Sequence, residues 1–291
     1  MKLFKFTFNA MTTNCEVHLY CENEIIAVEC FEKIKQNTYA LEKKYNFYDK
    51  KSYLNKSINN RSSNIVQVDK LTLEVLSKVK EYSKQTNNLF DITVGTIKKC
   101  YEHKKLTKLN NCLATLKNKM GNNTWEIKSN KLNFKYKETK FDLGGVIKEF
   151  SVDEAGKIIK EFNIKSALIN YGGDILTIGL KPDGQPFSVG IKNPKNPKEN
   201  LLYINLSNQA LTTSANYERS YNIEDNEFSH ILNKKDQEEI LSSTVISDST
   251  LCSGIFSTSF MIDSNCEIND EIKVALIDEN LNVHQNIINQ G

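Results

Sequence analysis

Between residues 141 and 179 the sequence sets two glycine pairs beside charged side chains: Asp142-Leu143-Gly144-Gly145 with Lys148 close behind, then Gly172-Gly173-Asp174. A glycine pair running into a helix offers free backbone N–H groups at the positive end of the helix dipole, and it lets a ligand approach the main chain closely. A phosphate suits such a place, and the Lys148 ammonium would add charge. The same glycines would also serve a plain strand-to-helix turn, and Gly172-Gly173-Asp174 taken alone reads more simply as a tight turn between strands. Tyr48 and Tyr217 carry flat rings able to stack on a heteroaromatic ligand, although aromatic side chains more often fill a core. His230 is the side chain suited to proton transfer near neutral pH, although a histidine in an alternating strand is more often structural.

These residues need elements to hold them. Val17, Leu19 and Cys21 alternate with Glu16, His18 and Tyr20 as a half-buried strand. Ala27, Phe31, Ile34, Thr38, Leu41 and Tyr45 recur at helical spacing behind Asn23 as N-cap, and Asp69 is placed to cap a second helix built on Leu71, Val75, Val79 and Tyr82. The polar run 49–63 between them follows neither period and is expected to be a surface loop. Alternation over 125–141, centred on Ser129-Asn130, predicts a β-hairpin. Phe150, Ala155, Ile158, Ile159 and Phe162 predict a helix directly after the first glycine pair. Further strands are expected at 167–169, 175–179, 187–191, 202–206 and 256–262. No repeat or clean linker interrupts the pattern. The expectation is an α/β chain (mixed α+β) forming one unit over 1–291 with an N-terminal helical part.

Composition removes several classes. With 39% hydrophobic and 25% charged residues, the chain sits among ordinary globular proteins rather than disordered ones. A net charge of +2 provides no field to draw a polyanion, and no nucleic-acid motif accompanies the lysine runs at 104–108 and 192–198. Nucleic acid is therefore not an expected partner. No stretch approaches the roughly 20 apolar residues of a membrane span. The opening segment lacks the apolar region and cleavage site of a secretory signal, and no lipobox is visible. The chain as written is thus expected in the cytoplasm, or in the periplasm if its natural precursor is longer. Its seven cysteines contain no C-x-x-C pair and no histidine at zinc spacing, so a disulfide framework is not expected. Cys21 and Cys30 read as small buried hydrophobes in a reducing compartment.

The segment from Asp142-Leu143-Gly144-Gly145-Val146-Ile147-Lys148 to Val152-Asp153 stands on the pattern D-L-G-G-I-A-K-G-Y-A-V-D, and Asn170-Tyr171-Gly172-Gly173-Asp174-Ile175 on N-x-G-G-D-I. Other segments follow in one order. Phe8-Asn9-Ala10-Met11-Thr12-Thr13 matches F-x-A-M-G-T, Ser52, Asn55 and Asn59 sit near a serine- and asparagine-bearing loop, and Phe90-Asp91-Ile92-Thr93-Val94-Gly95 matches F-D-x-T-V-G. Thr213-Ser214-Ala215-Asn216-Tyr217-Glu218-Arg219 matches T-S-G-x-Y-x-R, and Ser229-His230-Ile231 leads into H-I-I-D-P. Together these resemble the ApbE family, the FAD:protein FMN transferases. The resemblance implies a T-fold-related arrangement holding an extended FAD through Met11, Tyr48, Asp91, Thr93, Val94, Gly95, Asp142, Gly144, Gly145, Lys148, Gly172, Gly173, Asp174, Thr213, Ser214 and Tyr217.

The implied reaction splits the FAD pyrophosphate. A threonine or serine hydroxyl of an acceptor flavoprotein attacks the FMN phosphorus and AMP leaves, with His230 as the implied base. Charge growing on the leaving oxygen calls for a hard cation, normally Mg²⁺ on oxygen ligands. The family pattern A-D-x-x-[ST]-T implies such a site from the Ile147 carbonyl and Thr258, but Gly254 stands where the aspartate belongs. Restoring it by Gly254→Asp is therefore expected to tighten the site. Glu149, which replaces the glycine after Lys148, is an alternative source of the charge. Two further functional readings stand beside transfer: a flavin-binding or carrier protein without turnover, and Mg²⁺-dependent hydrolysis of FAD.

Overall fold

The computed structural model describes residues 1–215, 220–223, 226–229, 240–268 and 270–286. The chain opens on an antiparallel hairpin, β1 (Lys2–Ala10) and β2 (Thr13–Cys21), whose alternation buries Cys15, Val17 and Leu19 completely. Met11 and Thr12 make its turn at φ 50° and 63°, both positive as a two-residue hairpin turn demands. α1 (Glu24–Tyr45) begins where the Asn23 side chain accepts the Ile25 N–H, and its expected apolar stripe lies buried. β3 (Ile65–Gln67) precedes α2 (Lys70–Gln85), where Asp69 accepts the Thr72 N–H as the sequence suggests. α3 (Leu106–Leu116) is a satellite with a small core of its own. β4 (Trp125–Lys128) and β5 (Lys131–Phe134) form the expected hairpin about Ser129-Asn130, completed by β3 into a three-stranded sheet.

α4 (Ile147–Glu161) follows the first glycine pair, then β6 (Ser166–Tyr171) and β7 (Asp174–Ile178) turn on the second. β8 (Phe187–Asn193) and β9 (Asn196–Leu206) pair as a separate hairpin, β10 (Ala210–Ala215) follows, and β11 (Ser220–Ile223) pairs with β12 (Asn226–Ser229). β13 (Ile240–Ser247), α5 (Thr250–Ile262), β14 (Lys273–Asp278) and β15 (Val283–Gln285) complete the fold. The main sheet has eight strands in the order β1-β2-β6-β7-β10-β13-β14-β15, each pair antiparallel.

An antiparallel sheet with one face under helices needs an apolar layer there, and two clusters supply it. One joins β1, β2 and β6 to α1 and α4; the other packs α5 on β13 and β14. The opposite face is covered by Val189, Ile191, Ile204 and Leu206 from the β8–β9 hairpin. A further cluster gathers the end of α1, α2, the β4–β5 hairpin, the start of α4, and Leu251 and Ile255 of α5. Among the described residues no helix is long and apolar enough to cross a membrane.

Three expectations fail. The run 49–63 is not a surface loop: Leu54–Asn59 is a wide helical turn, and Ser52, Leu54, Asn55, Ile58, Asn59 and Arg61 are buried. Its polar side chains satisfy backbone groups in the interior, so polarity there does not signal exposure. Residues 256–262 are not a strand but the end of α5, a continuous apolar run that a buried helix and a buried strand share. Finally, Cys100 and Cys112 form a disulfide, their Cα atoms 5.6 Å apart where α3 folds back on the preceding turn. That approach follows no spacing motif. Cys15, Cys21, Cys30, Cys252 and Cys266 remain free thiols.

Candidate active site

The Asp142–Gly145 turn is fixed from behind before any ligand arrives. Asn59 makes both backbone hydrogen bonds of Phe141, donating to its carbonyl at 2.8 Å and accepting its N–H at 2.8 Å. Gly95 packs so tightly under the same segment that a Cβ there would lie 2.8 Å from the Lys140 carbonyl oxygen. Just before it, Asp91 accepts the Thr93 N–H and hydroxyl, and the Thr93 oxygen accepts the Gly121 N–H; burial pushes the Asp91 carboxyl up. Asp91, Thr93, Val94 and Gly95 thus brace a turn that supports the glycine motif. One oxygen of Asp142 accepts the Gly144 N–H at 3.0 Å and the other pairs with Lys98. Burial pulls the Lys98 ammonium down, but Asp142 beside it outweighs this and leaves it raised. Lys98 lies 4.7 Å from the centroid of the Tyr48 ring, which is 71% exposed and therefore no core residue.

The N–H groups of Val146 and Ile147 both donate to the Leu143 carbonyl. This leaves the Gly145 N–H without a protein acceptor among the described residues, on a surface where the nearest atoms to an added Cβ are Phe90 ring carbons at 3.8 Å. Lys148, the second residue of α4, pairs with buried Asp174 at 2.7 Å, joining the two glycine motifs. Between them Gly172, at φ 62°, sits against Thr13, while Gly173 opens onto free space. The adjoining hairpin turn, with Met11 donating its N–H to Glu42 at 2.6 Å, borders an open cavity of about 430 Å³ lined by Asn9, Ala10, Met11, Thr12, Thr13, Asn14 and Glu42.

The other wall comes from β10 and α5. Ser214 shares hydrogen bonds with Ser257 at 2.8 Å and Thr258 at 3.3 Å, and Thr213 with Thr244 at 2.8 Å. Every residue of α5 is buried except Thr258, which alone is partly exposed. Gly254, one turn earlier, faces α4: a Cβ there would lie 2.6 Å from the Glu149 Cγ. Glu149 is itself 7% exposed, and its Oε2 has no hydrogen-bond partner among the described residues. Burial, with the Asp174 charge adding to it, pushes the Glu149 carboxyl up to about 8. Asp153, farther along α4, accepts the N–H groups of Thr250 and Leu251 and the Ser249 hydroxyl, so it caps α5 from the neighbouring helix. Tyr217 and His230 lie outside the described residues.

A family model described as the ApbE family matches residues 11–275. This chain belongs to the ApbE family. Over 122 residues it is 29% identical to an FAD:protein FMN transferase of Klebsiella pneumoniae, a stretch covering 40% of this chain and 37% of that protein. Over 225 residues it is 23% identical to one of Vibrio cholerae, covering 74% and 67%. The match to the first of these spans less than half of that relative's length. In fold it is similar to an ApbE protein of Thermotoga maritima, at TM-score 0.83 and 21% identity over 98% of this chain and 97% of that one. Flavin Transferase ApbE from Vibrio cholerae superimposes at TM-score 0.80 with 19% identity, over 98% and 96%.

In this ApbE member Lys148 pairs with Asp174 and Ser214 with Thr258, while Asp91 and Gly95 support the Asp142–Gly145 turn from behind. Asn59, Lys98 and Asp153 also hold the ApbE motifs in place, and sequence reading gave none of them a site role. Asn59 and Asp153 stand within segments that match the family pattern, which is the signal that could have found them; Lys98 had none. A divalent cation passes a chemical fit: hydroxyl oxygens and an orphaned buried carboxylate oxygen are hard donors. No group of three His, Cys, Asp or Glu side chains able to hold a metal occurs among the described residues. Mg²⁺ takes one or two carboxylates and completes its shell from water and substrate phosphates.

Proposed function

We propose that this ApbE member binds FAD and transfers its FMN half to a threonine or serine of an acceptor flavoprotein, releasing AMP. The observation that supports this best is the joining of the two glycine motifs by Lys148 and Asp174, beside a wall of hydroxyls from Ser214 and Thr258. A pyrophosphate needs N–H donors and positive charge on one side, and an oxygen-lined place for a cation on the other.

In this reading the Gly145 N–H and the start of α4 take a phosphate oxygen. Lys148, held by Asp174, keeps a cation near the bridging oxygen. Thr213 and Ser214 orient the nucleotide, and Tyr48 offers an exposed ring for stacking, partly covered by Lys98. The acceptor hydroxyl oxygen forms a bond to the FMN phosphorus as the bond to the AMP oxygen breaks, and His230 takes the hydroxyl proton. Mg²⁺, when held by the Ile147 carbonyl and Thr258, would neutralise charge on the leaving phosphate.

The test is incubation with FAD and Mg²⁺, with and without an acceptor bearing a suitable threonine, following AMP by chromatography and flavin fluorescence on the denatured acceptor. Acceptor-dependent AMP with labelled acceptor is the expected result, and His230→Ala should slow it by about 100-fold or more. AMP without acceptor would instead indicate hydrolysis. FAD binding with no AMP in either arm would leave a flavin-binding protein.

A further inference from the structure

The contact between α4 and α5 decides where a carboxylate can stand. With 2.6 Å between an added Gly254 Cβ and the Glu149 Cγ, a side chain at 254 and the Glu149 chain claim the same space. Here α4 fills it. The Glu149 Oε2 that arrives there is buried and unpartnered among the described residues, an expensive arrangement unless a donor or cation completes it. The nearest ammonium along the chain, Lys148, is bound to Asp174 at 2.7 Å. Thr258 lies one helical turn beyond Gly254 on the same side of α5, and its hydroxyl is 3.3 Å from that of Ser214, so oxygen donors stand one turn along α5 from the contact with Glu149.

We infer that Glu149 is the anionic ligand of a divalent cation in this protein, its carboxylate entering from α4 into the space Gly254 leaves open on α5. This rests on the proposed reading insofar as the cation serves an FAD phosphate. Glu149 and Gly254 are then one coupled pair: a carboxylate on either helix serves, and one on both does not fit.

The probe is Mn²⁺, followed through the loss of its free electron paramagnetic resonance signal on binding to the full chain, with and without FAD. The proteins are wild type, Glu149→Gln and the double variant Glu149→Gly, Gly254→Asp. Flavin fluorescence in EDTA separately measures metal-free FAD binding. Wild type should bind Mn²⁺, and Glu149→Gln should weaken this by at least about tenfold, since even groups that only support a metal ligand typically contribute that much. The double variant should regain most of the affinity, and metal-free FAD binding should stay within about twofold throughout. Mn²⁺ binding by Glu149→Gln equal to wild type, or no Mn²⁺ binding by wild type, overturns the inference. If FAD fails to bind wild type, the functional reading falls, while the FAD-free Mn²⁺ comparison still decides the role of Glu149.

Discussion

A Cβ added at Gly145 would meet nothing nearer than the Phe90 ring at 3.8 Å, whereas one added at Gly172, at φ 62°, would run into the Thr13 side chain. The two glycines therefore predict different phenotypes. Gly172→Ala should lower unfolding free energy by about 1–3 kcal/mol through strain and collision, measurable by urea denaturation. Gly145→Val should stay within about 1 kcal/mol of wild type yet lose FAD binding, because the space it fills faces outward. A Gly145→Val protein that binds FAD normally by fluorescence titration would make that turn merely structural. Gly254→Asp, expected from sequence to tighten a cation site, is now expected to destabilise the protein, since the new side chain collides with Glu149. Both departures from the family pattern were visible in the sequence, but their contact was not. Helical periodicity shows that α4 and α5 have apolar faces, and it does not show which residues of two buried helices meet.

At the scale of elements, what periodicity governs was legible: α1 and α2 with their caps, the β4–β5 hairpin and the start of α4 all stand where spacing puts them. The exceptions have physical causes. α5 is buried nearly all round, so it shows no polar face to mark its turn, and the 49–63 segment turns its polar groups inward. Asn59 illustrates the second case. Asn59→Ala would strip both backbone partners from Phe141 in the interior, at about 1–3 kcal/mol per unsatisfied group, and loosen the Asp142–Gly145 turn. Weaker FAD binding should accompany the lower melting temperature; unchanged affinity would show that the turn does not need this brace. The turn between β14 and β15 is held by Asp278, which accepts from Asn280, Asn282 and His284. His284 and these donors hold its carboxyl down to about 2. Its contribution to stability is present above the ordinary carboxylate range near 4 and is lost as pH falls from there towards 2. Asp278→Asn should therefore flatten the fall in stability between about pH 4 and pH 2, as read by melting temperature; an unchanged slope would place the acid sensitivity elsewhere.

Across the whole molecule, the two walls of the candidate site each lean on a core of their own and share a third. α4 packs with α1 on β1, β2 and β6, while α5 packs on β13 and β14, and the two helices meet in a third cluster where Ile147 and Phe150 lie with Leu251 and Ile255. Asp153 couples them. From α4 it accepts the N–H groups of Thr250 at 2.7 Å and Leu251 at 3.1 Å and the Ser249 hydroxyl at 3.0 Å, occupying the first turn of α5. That register sets Gly254 against Glu149 and brings Thr258 to Ser214. Asp153→Ala removes an acceptor shared by three donors at a buried helix end, and a loss of roughly 3 kcal/mol is expected from cap and hydrogen-bond losses together. The informative measurement is hydrogen exchange at the α5 amides alongside Mn²⁺ affinity. If Asp153 sets the register, exchange should rise from Thr250 onward and Mn²⁺ binding should weaken, although Asp153 touches neither Glu149 nor Thr258 in the described contacts. If stability falls while α5 protection and Mn²⁺ affinity remain at wild-type levels, the register is set by packing around Leu251 and Ile255, and the coupling assigned to Asp153 is wrong.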